Sequence, residues 1–320
     1  MNHLEKKRQL EHIIDERLKP LIDSDYALFG LPYYNNVGDI LIWNGELEFL
    51  KKTPHKCVAT CAWNSYPTTP LPENVIILIT GGGYFGDLWR NAWETVLRGI
   101  EINRNNKIIF LPNTIYYQDP VLLEKDCRFL STFPNLTICA RDKASFELAK
   151  KSFSNKVILV PDMAFCMSEK YLSRWAGHKP SKKALLFKRC DKESPDTKLA
   201  IEEAAFDIHD WAPMEQASKA ELNFRRILAR TPLLRRISAD AAEKSVTWLY
   251  KNLYRRILTR NGISQLSSYE KIYTTRLHAM ILGCMLGRDI RLIDNKFGKL
   301  SAYYDTWLSD CDNVTYHKAK

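Results

Sequence analysis

The sequence predicts an α/β protein built as two sequential units with a cleft between them. Three observations predict it. Short apolar runs at residues 26–31, 57–62, 75–80, 107–111, 136–140 and 157–160 alternate with helix-like stretches at 87–102, 120–130 and 143–151. Strands apolar on both faces belong to a parallel sheet covered on both sides. A second series of the same kind begins near Ala184, and a length of 320 residues suits two domains.

The elements follow in order. Leu10, Ile13, Ile14, Leu18 and Leu21 recur at helical spacing, so 3–19 reads as an amphipathic leading helix. The first unit then runs to residue 167. Residues 168–183, with Gly177, Pro180 and four lysines, read as a linker into a second unit spanning 168–320. That unit has strands at 184–187, 206–211, 271–273 and 290–293, and helices at 238–259 and 276–286.

Composition excludes several classes. Hydrophobic residues make up 45% and glycine and proline are scarce, which excludes a wholly disordered or collagen-like chain. No stretch approaches the roughly 20 apolar residues of a membrane span, and the charged N-terminus lacks the apolar centre of a secretory signal. A cytoplasmic protein, able to rest on a membrane, is expected. Eight cysteines without a CxxC pair fit free thiols better than a disulfide frame or zinc site.

The net charge of +10 points to an anionic partner, and its location is more informative than its total. Residues 222–260 hold ten Lys and Arg against Asp240 and Glu243, interleaved with Trp248, Tyr250 and Tyr254. Such a segment suits an anionic membrane surface, with a plain solvated helix face as the alternative. No nucleic-acid reader motif accompanies it, so nucleic acid is not expected as a partner.

Four strand-end motifs carry chemistry. In the first, Asn36, Gly38 and Asp39 form a strand-to-helix turn whose free N–H groups suit an anion, with Asp39 at or near the cap. In the second, Gly81, Gly82 and Gly83 make a turn that lets backbone approach a ligand closely. In the third, Arg141 precedes Asp142, a natural cap, and Pro161-Asp162 is a similar strand end. In the fourth, Arg276 and His278 open a helix, where both reach one anion and the histidine can move a proton. The spacing of the first motif matches neither GxGxxG nor GxxxxGK[ST].

Taken together and in this order, the motifs resemble the polysaccharide pyruvyl transferase family. The resemblance rests on Asn36/Gly38/Asp39, the three glycines, Arg141/Asp142/Ser145, Pro161/Asp162 and Arg276/Leu277/His278, with Lys296 after the following strand. The family's usual Gly-x-Pro after the histidine helix is here Gly287-Arg288-Asp289. The resemblance implies two Rossmann-like domains facing a cleft, as in GT-B glycosyltransferases. It implies transfer of pyruvate from phosphoenolpyruvate to a sugar as a cyclic ketal, the acceptor being a free or polyprenyl-phosphate-linked glycan, with no cofactor or metal.

On that basis His278 is the candidate acid and Asp39 the base or acceptor holder, with Asp162 in reserve. Arg276 and Arg141 would meet the donor's anionic groups, Asn36, Gly38 and the three glycines would line the cleft, and Lys296 would attend the leaving phosphate. The alternatives are a nucleotide-sugar glycosyltransferase and a non-catalytic scaffold of polysaccharide assembly. Oligomeric state is left open.

Overall fold

The computed structural model describes residues 1–177, 180, 182–190, 193–194, 206–211, 247–294 and 297–316. Among these, seven strands form one sheet: β1 Tyr26–Leu31, β2 Cys57–Ala62, β3 Ile76–Ile79, β4 Gly82–Gly86, β5 Ile108–Tyr116, β6 Leu136–Ala140 and β7 Lys156–Leu159. Their order is β2-β1-β3-β5-β6-β7 with β4 beside β5, and every pairing is parallel. A second parallel sheet holds β8 Lys182–Phe187, β9 Asp207–His209, β10 Tyr269–Thr274, β11 Asp289–Leu292 and β12 Val314–Tyr316, in the order β12-β11-β10-β8-β9.

The helices are α1 His3–Leu18, α2 Val37–Leu50, α3 Arg90–Glu101, α4 Pro120–Ser131, α5 Lys143–Ser152, α6 Glu169–Trp175, α7 Arg255–Ser267, α8 Leu277–Met285 and α9 Lys299–Tyr303. A π-helical turn, Tyr250–Tyr254, leads into α7. None of the described helices is long and apolar enough to cross a membrane.

Alternation along the strands explains why both faces are apolar. Ala27, Phe29, Ile77, Ile79 and Phe110 point to one side and bury Trp93 and Ile100 of α3, Leu130 of α4 and Ala149 of α5. Leu28, Leu31, Ile76, Leu78 and Ile109 point to the other, into a cluster that also takes in α1, α2, α8 and Leu185, Phe187 and Ile272 of the second sheet. Each fully buried large side chain contributes about 1.5–3 kcal/mol, and the shared cluster ties the two sheets together.

Two expectations need correction. The expected linker contains α6, because Ser168 caps it by accepting from the Tyr171 N–H. Gly82 and Gly83 of the glycine run open strand β4 rather than a turn, and Gly81 lies between β3 and β4. Ile79 faces Phe110 and Gly82 faces Asn113, so β4 takes up the register of β3 along β5 and then shifts by one between Gly82 and Phe85. Asp39, expected at or near the cap, lies in the first turn of α2, whose cap is Asn36, accepting from the Gly38 N–H at 2.9 Å. Of the basic segment, 212–246 lies outside the described residues, while 247–260 is helical and runs on into α7.

Candidate active site

In open parallel sheets, ligand crevices lie beyond the carboxyl ends of the strands, and the candidate residues sit there in both sheets. After β1, the Asn36 amide and the Tyr34 hydroxyl both donate to Asp39 Oδ2, at 2.7 and 2.9 Å. Burial first, then the Asp39 carboxylate, raises the Tyr34 hydroxyl well above its ordinary pKa.

After β6 and β7, Arg141 and Asp162 form a buried pair. Arg141 donates from Nε to the Thr114 hydroxyl at 2.7 Å and from Nη1 to Asp162 Oδ2 at 2.9 Å. Asp162 Oδ1 accepts the Ala164 N–H, and the Asp162 N–H donates to the Tyr303 hydroxyl. Asp142, as expected, caps α5 through the Ser145 N–H and also accepts from Thr114.

From the second sheet, His278 in the first turn of α8 brings Nε2 to 3.3 Å from Asp162 Oδ2, without hydrogen-bond geometry. Burial opposes charge on Asp162, but His278, Arg141 and the Ala164 N–H outweigh it and hold the carboxyl at about 2. Asp162 is thus a carboxylate shared by a cation of one sheet and an imidazole of the other.

Two glycines let side chains of this centre approach the backbone closely. A Cβ on Gly38 would lie 2.6 Å from His278 Nδ1, so the ring occupies the room a side chain there would need. A Cβ on Gly83 would lie 3.3 Å from Arg141 Nη2 and 3.4 Å from Lys299 Nζ. The space above Gly83 is therefore flanked by two cationic groups.

The remaining cations carry internal carboxylates. Lys299 Nζ lies 2.8 Å from Glu193 Oε2, and Arg189 Nη2 and Trp89 Nε1 donate to Glu193 Oε1 at 2.7 and 3.1 Å. Burial acts against both charges; it leaves Lys299 below the ordinary lysine range, while Lys299 and Arg189 draw Glu193 below its own. Arg276, the residue preceding α8, grips Asp210 with two nitrogens.

Beneath the glycine strand, Glu46 of α2 fills the break between β3 and β4. Its carboxyl accepts the Gly81 N–H at 2.7 Å and the Thr80 hydroxyl at 2.7 and 2.9 Å. Burial is the main cause that pushes Glu46 up to about 7, against those two hydrogen bonds.

Comparison with known proteins bears directly on this arrangement. The family model described as polysaccharide pyruvyl transferase matches residues 36–296, which spans every strand-end motif above. The chain belongs to the polysaccharide pyruvyl transferase family.

Relatives of this chain agree. It is 30% identical over 309 residues to the Bacillus subtilis (strain 168) protein assigned as pyruvyl transferase EpsO, covering 94% of this chain and 90% of that one. It is 25% identical over 310 residues to Pyruvyl transferase 1 of Schizosaccharomyces pombe (strain 972 / ATCC 24843), covering 89% and 70%. A crystal structure of an uncharacterized Klebsiella pneumoniae protein shares the fold, with a TM-score of 0.64 at 19% identity, covering 97% of this chain and 99% of that one. Family membership makes the chain a transferase of polysaccharide biosynthesis with the pyruvyl group as cargo.

Among the sequence candidates, the fold brings Arg141, Asp162, His278, Gly38 and Gly83 together. Asn36 and Asp39 join them through the Gly38 turn. Gly81 turns to Glu46, and Gly82 packs against Tyr84 and faces Asn113. Arg276 is turned to Asp210. Lys296 lies outside the described residues. Sequence reasoning missed Lys299, Arg189, Glu193, Asp210 and Glu46. Only Glu46 carried a signal, a lone carboxylate on the apolar face of α2.

Proposed function

We propose that the chain transfers the pyruvyl group of phosphoenolpyruvate to two hydroxyls of a sugar, forming a cyclic ketal and releasing inorganic phosphate. The observation that carries this reading is the convergence of two cationic tips, Arg141 Nη2 and Lys299 Nζ, on Gly83 beside the Asp162–His278 pair. It suits a small donor with two anionic groups beside a proton-bearing imidazole. Bidentate or paired cations are the usual partners of carboxylate and phosphate.

The chain's residues then take these roles. Arg141, Lys299 and Arg276 bind the donor's carboxylate and phosphate, and Asp162 orients His278. His278 delivers a proton to the enol methylene, which becomes a methyl group and leaves C2 electrophilic. A sugar hydroxyl, held by Asp39, adds to C2; the C2–O bond to phosphate breaks. The second hydroxyl adds to C2 and closes the ketal. One hydroxyl proton replaces the proton that His278 gave, and the other leaves with phosphate. The cations and backbone N–H groups stabilise the departing charge, so these steps call on no metal.

The division into units 1–167 and 168–320, two Rossmann-like domains facing a cleft as in GT-B enzymes, fits a site drawn from the strand ends of both sheets. A free or polyprenyl-phosphate-linked glycan precursor is the acceptor on this reading, and a cytoplasmic location follows from the donor. The test is incubation with phosphoenolpyruvate and candidate acceptors. Phosphate release with a matching gain of pyruvate mass on the sugar supports the reading; sugar transfer from a nucleotide donor instead overturns it.

A further inference from the structure

We propose that helix 247–260 and the groove beside it dock the protein on an anionic lipid bilayer. Trp248, Leu253 and Ile257 are 62%, 46% and 42% exposed. At helical spacing they share the outer face with Asn252, Arg256 and Arg260, all exposed, and no carboxylate stands between them. The opposite face is spent on packing, with Tyr250 and Thr259 buried. Rings and aliphatic chains at the surface, alternating with basic groups, make an interfacial helix.

The groove beside it adds a second, independent feature. It encloses about 480 Å³ over an apolar floor that includes Leu31, Trp43, Leu47 and Leu50, and Lys251 and Arg255 stand at its rim. Lys251 Nζ donates to the Thr60 hydroxyl at 2.6 Å, and Arg255 donates to Asn44 and lies over the Trp43 ring. Neither has a carboxylate partner among the described residues. Val58 of edge strand β2, 52% exposed, continues the apolar rim. Two cations above an apolar slot fit the phosphate and first chain segment of a lipid.

Charge selects the occupant. A second copy presenting the same face would set arginine against arginine, whereas a phospholipid surface supplies the missing negative charge. Nucleic acid would leave Trp248, Leu253 and Ile257 without an apolar partner.

The full chain is sedimented with phosphatidylcholine vesicles, with and without phosphatidylglycerol. Binding only to the anionic vesicles is expected, weakened about tenfold or more in Trp248→Ser/Leu253→Ser and in Lys251→Glu/Arg255→Glu. The serine variant alters only exposed side chains, and its transfer to a free glycan should be unchanged, so this proposal and the pyruvyl reading stand or fall separately. Failure to bind either vesicle overturns the docking proposal. So does undiminished binding by the serine variant, a dimer that Leu253→Asp dissociates, or displacement of the protein from vesicles by inorganic phosphate alone.

Discussion

The imidazole of His278 rests against the backbone of Gly38, in the volume a side chain at 38 would fill. One residue opens α2 of the first unit and the other opens α8 of the second, so the contact joins the two helix starts that frame the site. In a helix interior, alanine is normally better than glycine by about 1 kcal/mol. Here Gly38→Ala should destabilise instead and cut turnover by about tenfold or more, because the ring must move. In a His278→Ala background the same change should become stabilising. Urea denaturation of the four proteins in that cycle reads the reversal.

A side chain at Gly83, by pressing on Arg141 and Lys299, should act on donor binding. Gly83→Ala is expected to raise KM for phosphoenolpyruvate about tenfold or more while thermal unfolding stays near that of the parent, since the Cβ meets two side-chain tips and not backbone. Steady-state phosphate release with varied donor measures it. An unchanged KM would remove Gly83 from the donor site.

Asp162 keeps a buried guanidinium neutralised. Asp162→Asn should cost about 3–5 kcal/mol of stability, because it leaves Arg141 charged and unpaired in the interior. Adding Arg141→Met should recover part of that loss without restoring turnover. Chemical denaturation and activity of the single and double variants separate the two effects.

Glu46 should make stability depend on pH. Its folded pKa is raised from 4.5 to about 7, so the folded state holds a proton that the unfolded state has lost. The contribution is fully present below about 4.5 and is lost as pH rises through about 7, a difference on the order of 3 kcal/mol. Glu46→Gln, which keeps the shape but cannot ionise, should flatten that stretch and gain relative to the parent at pH 8. Denaturation midpoints across pH 5–8 check it.

The first sheet was readable because strands buried on both faces leave continuous apolar runs, as at Ile76–Ile79. Strand β4 was not, since three of its five residues are glycine and carry no side-chain pattern. Helix α6 was hidden behind lysines and a proline, although Ser168 just before it was a visible cap. In the site, Arg141, Asp162 and His278 were legible because charged residues end apolar strands or begin an apolar helix, where burying them unused is costly. Lys299, Glu193 and Asp210 were not. Their roles exist only through contacts such as Lys299 with Glu193, which lie far apart in the chain and leave no local trace.

The carboxylates of Glu193 and Asp210, already seated on Lys299, Arg189 and Arg276, make the resting cleft its own counter-ion reservoir. On the proposed reaction, an incoming dianion that takes those cations does so by exchange, releasing Glu193 or Asp210. Its affinity would then be a difference between two ion pairs rather than the full attraction of one, and the released acids would repel the phosphate that the proposed reaction sets free. A cleft arranged in this way favours turnover over tight retention.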